Sequence, residues 1–523
     1  MSKARQWLNE RVKIVDVNEG ITRRNFAKGA AFGAIGASMG GLLAGCGPTQ
    51  QTTSNGPGVL NGAEVTWDKE TDIVVVGAGG AGAAAIYTAR EAGAEVILVD
   101  KMTEIGGSTV LNDGIFGGHE DRMSKELGLA VTTEDVYEWF LVAPNIMGPR
   151  DNDILRIVAE QSSETIDWLL DLGVVFKDEV ADDPLYTPLP VLHRVEGGGK
   201  NMKEPLEQFF ANSGAEILMN TRAMRLITNP EGRVIGITAE AESGTINIKA
   251  KQAVILTTGG YTVNEDMVGI YNFSAKGLVP TCAPSCTGDG IIMATELGAI
   301  TARTGFTPYI GGPSDAMTNA MFEYQAVFEG GIVVDENAKR FLNEDLTYND
   351  GKLTAALLPQ IDKQEKPYVW AIMLESEVVH YSEEAHGTQF DSADTIEELA
   401  AKVELDPAAL RQTVDAYNSY CAAQNDPDFG SEYLIALDHG PYYGLRIHCS
   451  AYLTTGGLKT DTGAHVLAFN GVGEGDSTIR TIPGLYAAGE VCEVNSAPGW
   501  GLNSMMVMAR IAGTNAAGEN PVA

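Results

Sequence analysis

The sequence predicts an α/β fold centred on a Rossmann-like dinucleotide-binding domain, and three observations carry that prediction. Residues 72–76 (DIVVV) are a continuous apolar run, the pattern of a strand buried on both faces of a parallel sheet. A G-x-G-x-x-G follows at Gly77, Gly79 and Gly82, with Ala81 inside it, and opens an Ala-rich helical stretch. A second apolar run, Glu95 to Val99, ends on Asp100. Strand, helix and strand make a βαβ unit. Its first glycine makes the tight turn, and the second lets a pyrophosphate approach the backbone. The third lets helix pack on strand, with the pyrophosphate at the helix N-terminus. Asp100 stands where a carboxylate can accept hydrogen bonds from a ribose. The alternative is a glycine-rich turn that serves packing alone.

At 523 residues the chain is too long for one simple core, and two domains with appendages are expected. Lys and Arg number 36 against 70 Asp and Glu, a net charge of −34 that argues against nucleic acid or anionic lipid as partner. It suits a basic redox partner, or serves solubility. Six cysteines do not make a disulfide scaffold, no C-x-x-C-H for a c-type haem occurs, and no metal site is expected. Cys282 and Cys286 form a C-x-x-x-C, for which a disulfide, an iron–sulfur ligand role and unpaired thiols are the readings.

The first 46 residues read as an address. Thr22-Arg23-Arg24-Asn25-Phe26-Ala27-Lys28 resembles a twin-arginine export signal. The Gly/Ala-rich stretch after it is too short for a comfortable transmembrane helix. It ends Leu43-Ala44-Gly45-Cys46, which resembles a lipoprotein cleavage site with Cys46 lipidated. Residues 47–66 read as a flexible tether rich in Gly, Pro, Ser, Thr and Gln. The expected location is the outer face of the cytoplasmic membrane, held there only through Cys46.

Further along, Asp153 to Leu172 has helical spacing, and His193 to Lys200 reads as a glycine-rich loop. Alternating strands are expected at 215–239 and 244–250, with a separate buried strand from Ala253 ending at Gly259-Gly260.

Directly after Asp100 the chain reads K-M-T-E-I-G-G-S-T-V-L-N-D-G. Here it resembles the flavoprotein subunits of fumarate reductase and succinate dehydrogenase, where a Gly-Gly-Asn/Ser-Thr stretch and a further glycine run along the flavin. Gly106, Gly107, Ser108, Thr109 and Gly114 fit that pattern. Four later stretches resemble family motifs in family order. These are the glycine pair at Gly259, T-G-D-G with Asp289, L-Y-A-A-G-E ending on Glu490, and Gly501-Leu502-Asn503-Ser504 opening the last helix. The resemblance covers nearly all of 70–520. It implies FAD, with Asp289 binding it and the backbone N–H groups of Asn503 and Ser504 facing the flavin. Succinate dehydrogenases attach FAD through a histidine where this chain has Ser108, so non-covalent FAD is expected. The implied organisation is an FAD-binding domain over 67–303 and 450–523 with an inserted α+β capping domain at 304–449.

The resemblance breaks where the family holds a dicarboxylate. G-K-R-F-x-N-E is present as Ala338 to Glu344, but the family's proton-donating arginine, eight residues past Arg340, is Tyr348. The upstream relay has Tyr324 for its glutamate and Val327 for its arginine. The substrate histidine becomes Leu453, beside Tyr452, and the C-terminal arginine becomes Gly499, followed by Trp500. Without bidentate charge-assisted bonds a small dicarboxylate is poorly held. A larger, flatter, less charged molecule is expected.

The implied activity is hydride and proton addition to an activated C=C bond of an enoate- or enone-type substrate, ending an anaerobic respiratory chain. Tyr348 is the expected acid, with Tyr324 and His448 as alternatives. Tyr452, Gly499, Trp500 and Arg446 are expected to meet the substrate. Electrons are expected from a separate cytochrome or quinol-oxidising membrane protein. The alternatives are a desaturase of 3-ketosteroid dehydrogenase type, whose Pro-Gly turn Pro498-Gly499 resembles and whose tyrosine before that turn is Asn495 here, or a flavin electron-transfer subunit.

Overall fold

Strand β1 (Lys69–Val76) leads through the glycine turn into helix α1 (Gly80–Glu91) and strand β2 (Val96–Val99), the βαβ unit expected from the sequence. The computed structural model describes residues 60–61, 65–143, 151–183, 187–271, 279–280, 282–302, 306–311, 331–345, 352–376, 379, 390–470, 478–493, 496–497 and 499–522. Residues 58–523 group as one compact unit. The export signal, Cys46, Tyr324, Val327, Tyr348, Asn495 and Pro498 lie outside the described residues, as do the side chains of His448 and Tyr452.

Chain order then runs through helix α2 (Asn152–Asp171) and strands β3 (Thr187–Val195), β4 (Glu216–Leu218), β5 (Arg222–Thr228), β6 (Val234–Ala241) and β7 (Gly244–Leu256). Helix α3 (Asp289–Thr295) follows, started by Gly288 in a left-handed conformation. The elements that follow include β8 (Phe306–Gly311), β9 (Gly331–Val334), β10 (Val369–Leu374), α4 (Ile396–Lys402), α5 (Pro407–Ala423) and β11 (Tyr442–Thr454). The chain closes with β12 (His465–Phe469), β13 (Ile479–Ala487) and α6 (Gly501–Ala517).

The main sheet has nine strands, with β5, β6, β7, β1, β2 and β4 in that order and β13 beside β7. Strands β4, β2, β1, β7 and β13 run parallel to one another, β13 pairs antiparallel with β12, and β5, β6 and the first part of β7 form an antiparallel meander. This doubly covered sheet explains the unbroken apolar runs. Val74, Val76, Ile97, Val99, Val254 and Leu256 fill one core on one face. The alanines of α1 have a purpose too. Ala83, Ala84, Ala85 and Ala89 are fully buried, α1 packs on α6, and a Cβ on Gly513 of α6 would lie 2.2 Å from the Ala85 carbonyl oxygen. Small side chains are what let these two helices approach.

Two sequence expectations change. The strands expected at 244–250 and from Ala253 are one strand, β7, whose register on β1 shifts between Ala250 and Ala253. The polar Lys251-Gln252 step is absorbed by that irregularity and does not end the strand. His193 also does not begin a loop. It closes β3, fully buried, with Nε2 3.1 Å from the Asp121 carboxylate.

The second sheet has six strands and is organised around β11, which pairs antiparallel with β8 and with β10, and β10 pairs with β9. Ile332, Val334, Trp370, Ile372 and Leu374 cover Ile396, Leu399, Leu410, Val414 and Tyr417 of α4 and α5. Strand β11 runs continuously across the position, 449/450, where the sequence reading divides the chain. Arg340 is a buried strut. Its Nε donates to Glu344 at 2.9 Å and its Nη2 to Asp426 at 2.9 Å.

Candidate active site

The nucleotide end is shaped by backbone. Gly77 has φ +118°, and a Cβ there would sit 2.3 Å from the Thr257 carbonyl oxygen, so only glycine fits. A Cβ on Gly82 would strike the Gly77 carbonyl at 2.0 Å, which makes Gly82 the close helix–turn contact. Gly79 differs, because the nearest atom to a Cβ there is 3.7 Å away. Its bareness therefore faces the open cleft, at the N-terminus of α1, which carries no side-chain cap. Asp100 ties the turn to the end of β2, with Oδ2 accepting from Ala78 N at 2.7 Å and Oδ1 from Met102 N at 2.8 Å.

A charged cluster closes this part of the wall. Lys101 Nζ donates to Asp289 Oδ2 at 2.9 Å, and Arg222 reaches both Asp289 oxygens through Nε at 3.0 Å and Nη2 at 2.9 Å. Burial pushes the Asp289 carboxyl up, but Arg222, Lys101 and Thr287 outweigh it and hold it at about 2. Neither cation was singled out from the sequence, although Lys101 adjoins Asp100.

Farther along the same cleft, Gly106 and Gly107 both take positive φ and lead into the short 3₁₀ turn Gly107–Val110. Thr109 Oγ1 accepts from Gly80 N at 3.0 Å, joining this turn to α1. Ser108 Oγ accepts from Ala283 N at 3.1 Å and lies 3.4 Å from Cys286 Sγ. Glu490 Oε1 accepts from Thr454 N at 2.8 Å and from Thr454 Oγ1 at 3.1 Å. It keeps some open surface because it faces the cleft, yet protein surrounds it closely, and burial raises its carboxyl to about 7. Asp113 is similar: it faces the cleft, and burial, opposed by Arg194, raises it to about 6. Asp113 was also not singled out from the sequence. Leu453, Gly499, Leu502, Met505 and Met506 supply apolar wall.

One cleft therefore gathers Gly77, Gly79, Ala81, Asp100, Gly107, Ser108, Thr109, Gly259, Asp289, Glu490 and Gly499. Other expected residues stand outside it. Gly82 and Gly114 act behind the wall; a Cβ on Gly114 would meet Val195 and the Gly198–Gly199 backbone at 2.9–3.0 Å. Asn503 is fully buried and its Nδ2 donates to the carbonyls of Gly117 (2.6 Å) and Ser162 (3.2 Å), while the N–H of Ser504 donates to Trp500 O. The helix end that borders the cleft is Gly501 and Leu502. Trp500 does not offer its ring to a substrate. It is fully buried, pressed on Gly117 and edge-on to Phe140 at 4.8 Å. Arg446 is exposed and stacks over Tyr368 and Trp370 at 5.3 and 5.5 Å. In both cases an apolar neighbour claims the side chain that sequence order had assigned to the site.

A protein-family model described as an FAD binding domain matches residues 72–504. A probable fumarate reductase of Shewanella frigidimarina is 30% identical over 464 residues, spanning 86% of this chain and 75% of that protein. A vinyl phenol reductase of Lactiplantibacillus plantarum is 30% identical over 453 residues, 80% of this chain and 89% of that one. Among solved structures, the open conformation of a flavocytochrome c3 fumarate reductase superposes with a TM-score of 0.76 at 28% identity, covering 86% of this chain and 79% of that chain. The cofactor is FAD. The cleft fits it: bare glycine backbone at Gly79 and Gly107 leaves room where a Cβ would meet nothing nearer than 3.7 Å, and polar and apolar walls share one cavity.

Proposed function

This chain belongs to the FAD-binding-domain family of flavoprotein oxidoreductases acting on C=C or CH–CH groups, and on that premise we propose that it reduces an activated C=C bond in a substrate that is not a small dicarboxylate. The observation that supports this most is the cation inventory of the cleft. Among the described lining residues the cations are Lys101 and Arg222, and both are committed to Asp289. Where the fumarate reductase pattern carries a histidine and an arginine, the wall is Leu453 and Gly499. A dicarboxylate there would lose its hydration without bidentate partners, at several kcal/mol per unpaired charge. The same wall favours an apolar or aromatic enoate or enone.

When bound and reduced, FAD supplies the hydride. The chain's residues do the rest. Gly77, Gly79 and the start of α1 seat the pyrophosphate, with Asp100 turned to the ribose and Asp289 anchored by Arg222 and Lys101. Ser108, already bonded to the Ala283 N–H, replaces the attaching histidine of succinate dehydrogenases, so FAD is held without a covalent bond. Tyr348 delivers the proton to the substrate α-carbon, with Tyr324 and His448 next in line, and Tyr452 makes polar contact with the substrate. Residues 304–449 cap the site. The enzyme is exported through the twin-arginine signal, tethered by lipidated Cys46, and fed by a separate cytochrome or quinol-oxidising protein to end an anaerobic respiratory chain. Among the described residues no helix is long and apolar enough to cross a membrane.

A panel of enoates, enones and unsaturated lactones, mixed with the dithionite-reduced protein, tests this directly. Rapid flavin reoxidation by one class identifies the substrate. If no C=C acceptor reoxidises the flavin while a cytochrome does, the chain is an electron carrier and the proposal fails.

A further inference from the structure

We propose that Cys282 and Cys286 form a redox-active dithiol–disulfide pair that exchanges two electrons with the flavin bound in the same cleft. This rests on FAD binding alone and not on the identity of the C=C substrate.

Cys286 N donates to Ala283 O at 3.0 Å, closing a turn, and Cys282, Ala283 and Cys286 pack in one buried cluster, with Cys282 Sγ hydrogen-bonded to Thr262 Oγ1. A disulfide between them would close this short turn within one buried cluster. Both are free thiols, 4% and 2% exposed, and both line the flavin cleft. Burial shields them from external thiols and leaves the cofactor as the redox group sharing their cavity. The loop is pinned to the Gly107–Val110 turn by Ala283 N on Ser108 Oγ and by the contact of Ser108 Oγ with Cys286 Sγ. A Cβ on Gly259 would reach within 3.4 Å of Cys286 Sγ, so the thiol abuts the glycine pair that borders the cleft. The C-x-x-x-C spacing alone left three readings open; its position in the cleft separates them.

On oxidation the two S–H bonds break and one S–S bond forms. Two protons leave the sulfurs and two electrons pass to oxidised flavin, which is thereby reduced; the reverse regenerates the thiols. Glu490, whose carboxyl lines the same cleft, is the group expected to take up one of these protons. Hydrogen bonding to Cys282 and burial push the Cys286 thiol well up, so exchange is slow near neutral pH and accelerates as pH rises.

The test is an anaerobic dithionite titration of aerobically purified holoenzyme, followed by flavin absorbance, with alkylated thiols counted by mass spectrometry at each end point. The wild type should take up about four electrons per flavin and gain two alkylatable thiols, with a peptide bridge joining 282 to 286 before reduction. Cys282→Ser and Cys286→Ser should each take up about two. An uptake of about two in the wild type with an unchanged thiol count overturns the proposal, as does a disulfide that persists after the flavin is fully reduced. Should the serine variants fail to fold, the wild-type thiol count decides alone.

Discussion

The two sides of the cleft are built on different principles. The FAD side is made of backbone geometry and saturated charge: Gly77 with no space for a Cβ, Asp100 bonded to two main-chain N–H groups, and Asp289 clamped between Lys101 and Arg222. The substrate side, as far as Leu453, Gly499, Leu502 and Met505 show it, is apolar and unclamped. A wall of fixed dipoles and paired ions recognises one cofactor and tolerates little change. An apolar wall recognises by shape, and it can change substrate by side-chain exchange while the cofactor stays the same.

The largest expected effect lies on the rigid side. Gly77→Ala should abolish FAD loading and lower stability by several kcal/mol, because the Cβ meets Thr257 O and the φ of +118° is lost to an L residue. Flavin content per chain and the melting temperature check this; a yellow, normally stable variant would break the contrast. Next comes Tyr348→Phe, which should fold and bind FAD normally while substrate-driven flavin reoxidation slows by about 10²–10⁴-fold. A loss of less than a few-fold would move the acid to Tyr324 or His448.

The two carboxylates should then separate by pH. Asp289 sits at about 2, below its ordinary 3.8, so its clamp contributes stability above about pH 4 that is lost as pH falls through about 2. Glu490 has the opposite sign. Its carboxyl is raised from 4.5 to about 7, so leaving it buried costs the fold progressively as pH rises from 4.5 through 7. Glu490→Gln should therefore stabilise the holoenzyme at pH 8 by about 1–3 kcal/mol and leave pH 4 unchanged. Melting curves across pH with no such divergence would refute the assignment. Smallest of all, Arg446→Ala should change reoxidation less than two-fold, since its guanidinium stacks on Tyr368 and Trp370 outside the cleft.

What the sequence revealed follows the same contrast. Gly77, Gly79 and Gly82 were legible because a βαβ turn demands glycine at fixed offsets, and the apolar runs of β1 and β2 were legible because a covered parallel strand has no polar face. Strand β7 was misjudged because Lys251-Gln252 mimics a strand end, while the chain crosses it with a register shift. Trp500 beside a glycine turn resembles a substrate contact, and only the packing on Gly117 and Phe140 shows that it braces the wall from behind. Asn503 was placed in the right helix, but its side chain serves the Gly117 and Ser162 carbonyls. Arg222 carries no motif, and Lys101 and Asp113 lie inside the glycine-rich stretch without being its marked positions. Arg222 enters the cleft by tertiary approach from the start of β5, which spacing along the chain does not encode.

The glycine-built FAD cradle faces a wall that, among the described residues, carries no dicarboxylate clamp. Single-turnover reoxidation of the reduced holoenzyme by fumarate, set beside its best C=C acceptor at equal concentration, tests it most directly. Fumarate should be slower by about a thousand-fold or more, the equivalent of several kcal/mol of unpaired carboxylate. Fumarate reoxidising the flavin at a comparable rate would contradict it.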